Sequence, residues 1–322
     1  MKKRIMIALV LTALLAALAH AQITRYFVYV ANSGSNNIST YTMNPITGAL
    51  TSVGTATSCG KNPWGIAVDP TDKFLYVVNH DSNNVSAYTI NPSTGKLSAV
   101  SNSPFAAGRY PGRIAVDPTG KFLYVPNWDD ANVSAFSINQ ATGALSAVSG
   151  SPFAAGAIPL GIAVDPAGKF LYVANNRDNS ISAYLIDSNS GALTAVSGSP
   201  FAAGTNPVGT AVDPTGRFLY VANNGSHNHG AGPLAGANVS AYTINASTGA
   251  LTAVSGSPFA GPRPWGIAVD PTGRFLYVTN DATDNVSAYT ISPGTGALTA
   301  VSGSPFAEGA GWGIAIATVT GP

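Results

Sequence analysis

A Tyr-Val-x-Asn run recurs six times in this chain, beginning at Tyr29, Tyr76, Tyr124, Tyr172, Tyr220 and Tyr277, in steps of 47, 48, 48, 48 and 57 residues. Each full unit repeats more than that run. One of them reads Gly161-Ile162-Ala163-Val164-Asp165-Pro166, then Phe170-Leu171-Tyr172-Val173, then Ile181-Ser182-Ala183-Tyr184, then Ala192-Leu193-Thr194-Ala195-Val196. Segments rich in Val, Ile, Thr and Tyr, bounded by Gly, Pro, Asn and Asp, are strands separated by turns. No segment keeps a 3.6-residue apolar period long enough for a helix.

A period near 48 residues with four strands per unit predicts one blade of a β-propeller and is too long for a rung of a β-helix. The repeats begin at the second strand of a unit, Phe27 to Asn32, and finish on an isolated first strand, Trp312-Gly313-Ile314-Ala315-Ile316. If that last segment completes the first blade, every strand type occurs six times and the sheet edges at the two termini pair. The expectation is an all-β, six-bladed propeller of four-stranded antiparallel blades, closed by the C-terminal strand; seven blades is the alternative count. Residues 22–322 form one propeller domain in this reading.

Composition agrees and excludes other classes. Of 322 residues only 9% are charged, against about 25% in an average domain, and 15 Lys plus Arg balance 14 Asp plus Glu. That balance excludes a basic nucleic-acid binder and an acidic tail protein, while 45% hydrophobic content excludes a disordered chain. Residues 1–21 read as a secretory signal: Lys2, Lys3 and Arg4, an apolar run from Ile5 to Ala19, and a small-x-small step at Ala19-His20-Ala21. The run is too short to span a bilayer. A secreted or periplasmic monomer with no membrane span is therefore expected, and its single cysteine, Cys59, cannot form an intramolecular disulfide.

The repeated polar residues have structural work to do. Asp69, Asp117, Asp165, Asp213 and Asp270 each precede a proline and are expected to accept turn amides, with Lys73, Lys121, Lys169, Arg217 and Arg274 following in the same turn. Gly65, Ala67 and their equivalents lie on the innermost strand, where blades converge and large side chains do not fit. The Asn-Val-Ser triplets at Asn84, Asn132, Asn238 and Asn285 match the glycosylation pattern but start strands of the repeat, so they are read as structural.

The Tyr-Val-x-Asn runs and the Val-Asp-Pro-x-Gly turns make the mature chain resemble the YVTN-repeat β-propellers, a superfamily that includes 6-phosphogluconolactonase-like lactonases and is related to haem d1 and quinoprotein propellers. The resemblance implies lactone hydrolysis by a propeller, usually of seven blades, with a Pro-Arg-His step into an innermost strand and an Asn-Glu after a repeat strand. Here the matching steps are Pro63-Trp64-Gly65, Pro111-Gly112-Arg113, Pro159-Leu160-Gly161, Pro207-Val208-Gly209 and Pro264-Trp265-Gly266, none with the histidine. The Asn-Glu position reads Asn79-His80, Asn127-Trp128 or Asn280-Asp281, and Glu308 is the one glutamate of the chain.

Residues that break the repeat concentrate in the loops between second and third strands and between blades, which emerge on one face of a propeller. The former hold His80, Asp81, Trp128, Asp129, Asp130, Arg177, Asp178, Asp281, Asp284 and an insertion from Asn224 to Ala237; the latter hold Cys59, Lys61, Arg109, Arg263 and Glu308. Trp64, Trp265 and Trp312 share one repeat position in blades 2, 6 and 1, so an aromatic arc is expected at the channel mouth, with Lys61, Arg263 and Glu308 close by and Trp128 and His80 on the same face. Aromatic faces beside a few charges suit a glycan, a peptide or a small amphipathic ligand. Two readings of the tryptophans stand open, a binding arc or a cap on the inner core.

A binding module is the leading function. The alternative is a lactone hydrolase with Glu308 or an aspartate as base and Arg263, Arg109 or Arg113 steadying the oxyanion. A haem-bearing propeller would need an axial ligand, for which only His80 is placed. No cofactor is expected. His227 and His229 are the weak metal candidates, and Asp129, Asp130, Asp178, Asp281 and Asp284 could offer oxygens to calcium, although Asx turns explain them. Cys59 replaces an alanine of the repeat, which suits a small buried residue better than a nucleophile. No GxSxG, HExxH, phosphate-loop or dinucleotide fingerprint occurs.

Overall fold

In the run Phe74-Leu75-Tyr76-Val77-Val78 every residue is apolar, which on a strand means that both faces are covered. They are: Phe74, Tyr76 and Val78 pack into one cluster with Leu123 and Val125 of the next unit, and Leu75 and Val77 pack into another with Ile38 of the unit before. The period of two along a strand thus fills two inter-sheet layers at once. The computed structural model describes residues 26–226 and 235–307. It shows six small antiparallel sheets arranged in a ring as a six-bladed β-propeller. Among the described residues the only helical piece is a 3₁₀ turn at His80–Ser82. No helix there is long and apolar enough to cross a membrane.

Blade 2 is representative. Its strands are Pro63–Val68, Phe74–Asn79, Asn84–Ile90, Leu97–Ala99 and Phe105–Ala106. The fourth strand expected from sequence is therefore two short pieces. Both pair with the third strand, Tyr88 opposite Ala99 and Val85 opposite Phe105, and residues 100–104 bulge out between them. The bulge ends in Ser103-Pro104, and proline has no N–H to give to a ladder. Ser103 Oγ instead accepts the Ala87 amide at 2.9 Å, and the same bond recurs at Ser151, Ser199, Ser257 and Ser304.

The aspartate turns behave as expected. Asp69 Oδ1 accepts the Phe74 amide at 2.7 Å and the Lys73 amide at 2.8 Å, while Oδ2 accepts the Thr71 amide and contacts its hydroxyl. At Asp270 burial pushes the carboxyl upward, but hydrogen bonds from Thr272, Phe275 and Arg274 outweigh it and leave the group below its ordinary value. The repeat asparagine is a second fixed point. Asn79 Nδ2 donates to Asn84 Oδ1 and Ser86 Oγ, and its Oδ1 accepts the Gly60 amide, which engages the Asn-Val-Ser triplet within the fold.

Blades are tied to each other by tyrosines. The second-strand hydroxyls of Tyr29, Tyr76, Tyr124, Tyr172 and Tyr220 donate to Gly95, Gly143, Gly191, Gly249 and Gly296 of the following blade at 2.9–3.1 Å. Those glycines have no room for a side chain. A Cβ on Gly143 would lie 2.4 Å from the Phe74 ring, and its φ of +75° is one that other residues rarely adopt. Third-strand tyrosines tie backwards: Tyr88 to Ser58, Tyr242 to Ala202 and Tyr289 to Ala260. Among the described residues the seam between blades 6 and 1 has neither tie, and Gly48, the counterpart of Gly143, has no neighbour within 4 Å. The segment Trp312–Ile316 expected to complete blade 1 lies outside the described residues, as do residues 1–21, His227, His229 and Glu308.

Candidate functional site

The residue before the proline of each inner strand lies in the left-handed region: Asn62, Tyr110, Ile158, Asn206 and Arg263, with φ between 50 and 58°. Asparagine suits that conformation, whereas tyrosine, arginine and above all the β-branched isoleucine do so only under strain. The carbonyl of this residue accepts the amide of the residue after the repeat asparagine, as in His80 to Asn62 at 3.0 Å and Trp128 to Tyr110 at 3.1 Å. One upper-face position per blade is thereby held next to another. Around the ring the pair reads Asn62 with His80, Tyr110 with Trp128, Ile158 with Asn176, Asn206 with Asn224, and Arg263 with Asp281.

In blades 2 and 3 these positions assemble an aromatic cluster. The half-buried Trp64 stacks on the His80 imidazole with centroids 4.1 Å apart and planes at 20°. Trp128 lies 5.9 Å from Trp64 and 5.6 Å from His80, and Tyr110 lies 5.1 Å from His80. Tyr110 is 40% exposed while His80 is only 7% exposed. His80 Nδ1 is 3.0 Å from the Pro111 carbonyl oxygen. A carbonyl can only accept, so Nδ1 carries the hydrogen, and in the neutral tautomer the acceptor nitrogen is Nε2. Asn176 and Asn224 make the matching bond to Pro207 and Pro264, so His80 fills a repeated structural position with a titratable ring.

The other residues singled out by sequence are spread around the face. Arg109 pairs with Asp129 at 2.9 Å in solvent, and Asp130 accepts the Arg109 amide. Arg263 pairs with Asp281 at 3.1 Å and leans on Asn224. Lys61 is exposed, its amide donating to Ser82. Asp178 accepts the Ala157 amide. Among the described residues no three His, Cys, Asp or Glu side chains group as metal ligands. Burial pushes the half-buried Cys59 thiol up to about 11, which keeps it protonated and poorly nucleophilic near neutrality.

Two of the three tryptophans of the expected arc lie among the described residues. Trp64 and Trp265 lie within the inner strands Pro63–Val68 and Pro264–Val269, and both pack against one central cluster that includes Leu160 and Val208. Trp128, placed by sequence only on the same face, is the ring that approaches Trp64. Trp312 lies outside the described residues. Tyr110 belongs to the site as well, and the signal for it in the sequence is its place in the repeat, where Asn62, Ile158, Asn206 and Arg263 stand in the other blades. A cleft of about 490 Å³ between blades 5 and 6 lies at the opposite end, near the aspartate turns. Its Arg217 lies over the Phe218 ring and donates to the Pro293 carbonyl at 3.0 Å, a structural role.

A family model described as lactonase, seven-bladed β-propeller, matches residues 12–107, 105–159, 153–231 and 203–312. No curated protein matches the sequence. Among solved structures, a periplasmic gluconolactonase from Pseudomonas aeruginosa is similar with a TM-score of 0.73 at 18% identity, over 89% of this chain and 83% of that one. A protein of unknown function from Desulfotomaculum acetoxidans gives 0.68 at 19% identity over 88% and 84%. Hydrazine synthase from Kuenenia stuttgartiensis gives 0.60 at 20% identity over 81% and 72%. At such identities the likeness is one of fold, shared by proteins of different activity.

Proposed function

Because the chain belongs to the lactonase family of β-propellers, yet carries on its upper face an aromatic cluster in place of that family's histidine and glutamate steps, we propose that it is a ligand-binding propeller. The ligand is a sugar or similarly amphipathic ring, stacked on the accessible parts of Trp64, Tyr110 and Trp128. The observation that carries this reading is the contiguity of the four rings across the seam of blades 2 and 3. Such rings give a large apolar face with a polar rim, which suits the alternating C–H and hydroxyl surface of a sugar. A tryptophan fluorescence titration against aldonolactones and neutral oligosaccharides tests it. Saturable quenching is expected, weakened at least tenfold in Trp128→Ala; an unchanged profile in that variant and in Tyr110→Ala would overturn the site. The leader read in residues 1–21 supports export, and recovery of the protein with the cytosolic fraction would count against it.

A second reading, lactone hydrolysis, is favoured by the family match and by one detail of His80. With Nδ1 fixed on Pro111, Nε2 is the nitrogen able to take a proton from water. His80 is buried, however, and packed against Trp64, Tyr110 and Trp128, so a water would have to pass these rings to reach it. Turnover of aldonolactones above the buffer rate, lost in His80→Asn, is the result this reading expects. The asparagine variant keeps the bond to Pro111, as Asn176 and Asn224 do for their prolines, so the loss would report proton transfer and not misfolding.

A further inference from the structure

Four described inner strands carry, after their opening proline, a bulky residue followed by glycine, at Trp64-Gly65, Leu160-Gly161, Val208-Gly209 and Trp265-Gly266. The glycine is required by its neighbours. A Cβ on Gly161 would lie 3.0 Å from the Val208 carbonyl oxygen, and one on Gly209 would lie 2.6 Å from that of Trp265. Blade 3 reverses the order to Gly112-Arg113, and there the regular first strand shrinks to Ala115–Val116. A long side chain has been placed where no side chain fits against the next blade, and it goes to the axis instead. Arg113 Nη2 is 3.3 Å from the Trp265 carbonyl oxygen of blade 6, three blades away and hence across the ring.

Among the described residues an apolar cluster gathers at the axis. It takes Leu160 from blade 4, Val208 from blade 5 and Ile267 from blade 6, with Trp64 of blade 2 and Trp128 of blade 3 packed against it. Residues of five blades can meet only at the centre. Desolvation lowers the Arg113 pKa, but guanidinium starts so far above neutrality that it keeps its charge. Of its five N–H groups the Trp265 carbonyl takes one, and neither ion pair among the described residues involves it. A half-buried cation on the axis, with donors that no described residue takes, is suited to receive an anion. There, Coulomb attraction is far stronger than at the surface.

We propose that the axial channel binds a small carboxylate on Arg113, held by paired N–H bonds from the guanidinium. The proposal stands whether or not a ring stacks on the aromatic platform. The test uses the full mature chain labelled with ¹⁵N, following arginine Nε–H resonances as sodium acetate replaces sodium chloride at constant ionic strength and neutral pH. One resonance, identified by its loss in Arg113→Lys, is expected to shift saturably. Thermal stabilisation by acetate should follow the same curve, weaken at least tenfold in Arg113→Lys and vanish in Arg113→Met. No saturable arginine shift in the native chain overturns the proposal without any variant having to fold. A response tighter for inorganic phosphate than for acetate overturns the carboxylate assignment. So does an acetate response seen only in Glu308→Gln, because the chain's own glutamate would then be the partner.

Discussion

Thr210 stands where four other blades carry isoleucine, at Ile66, Ile114, Ile162 and Ile267, and its hydroxyl is buried without a hydrogen-bond partner. A buried donor left unpaired costs about 1–3 kcal/mol. Thr210→Val keeps the shape and removes the hydroxyl, and it is expected to stabilise the fold by about 1 kcal/mol, measured as a higher urea midpoint with an unchanged slope. Cys59 shows the opposite kind of fit. It replaces an alanine of the repeat, packs against a cluster of blades 1 and 2, and its thiol is pushed up to about 11 by burial. At pH 8 its alkylation should be much slower in the folded chain than in urea; equal rates would show that the thiol is open to solvent.

A blade gains its place in the ring through a few recurrent ties between elements. Tyr124, fully buried on the second strand of blade 3, reaches Gly191 in the turn of blade 4 at 3.0 Å. Tyr277, its counterpart in blade 6, makes no such bond among the described residues. Removing the hydroxyl should therefore cost about 1 kcal/mol in Tyr124→Phe and only a few tenths in Tyr277→Phe, because a buried bond counts and an unmade one does not. Equal losses at both positions would mean that Tyr277 is tied in solution as the others are. The comparison also tests whether blades 6 and 1 meet as firmly as the remaining pairs.

Taken together, the ties make the propeller sensitive to alkali. Burial pushes the Tyr29 phenol up to about 12, and burial with the nearby aspartates pushes Tyr76, Tyr124, Tyr172 and Tyr220 still higher. A phenol in the unfolded chain ionises near pH 10. Each folded pKa is raised, so the contribution of these groups is fully present below about pH 10 and is lost as pH rises toward the folded values. Urea midpoints should be flat from pH 7 to 9 and fall steeply from pH 10 to 12, and phenolate absorbance should appear together with unfolding. Phenolate appearing near pH 10 in a chain that stays folded would contradict the buried ties.

The six-fold repeat, the all-β class, the aspartate turns and the crowding at inner-strand glycines were legible in the chain itself, because they depend on local chemistry. Period-two apolarity, proline before a turn and a carboxylate near free amides act within a few residues, and repetition averages away the noise. The site was legible only in part. Sequence placed Trp64, Trp128 and His80 on one face, but the contact between Trp64 and Trp128 crosses a seam between blades. Their positions in the repeat differ, and only the curvature of the ring brings them within 6 Å. The reach of Arg113 was hidden for the same reason. The reversed Gly112-Arg113 order was visible as an oddity, yet that its side chain crosses to Trp265, 152 residues away, follows from closing blades around an axis.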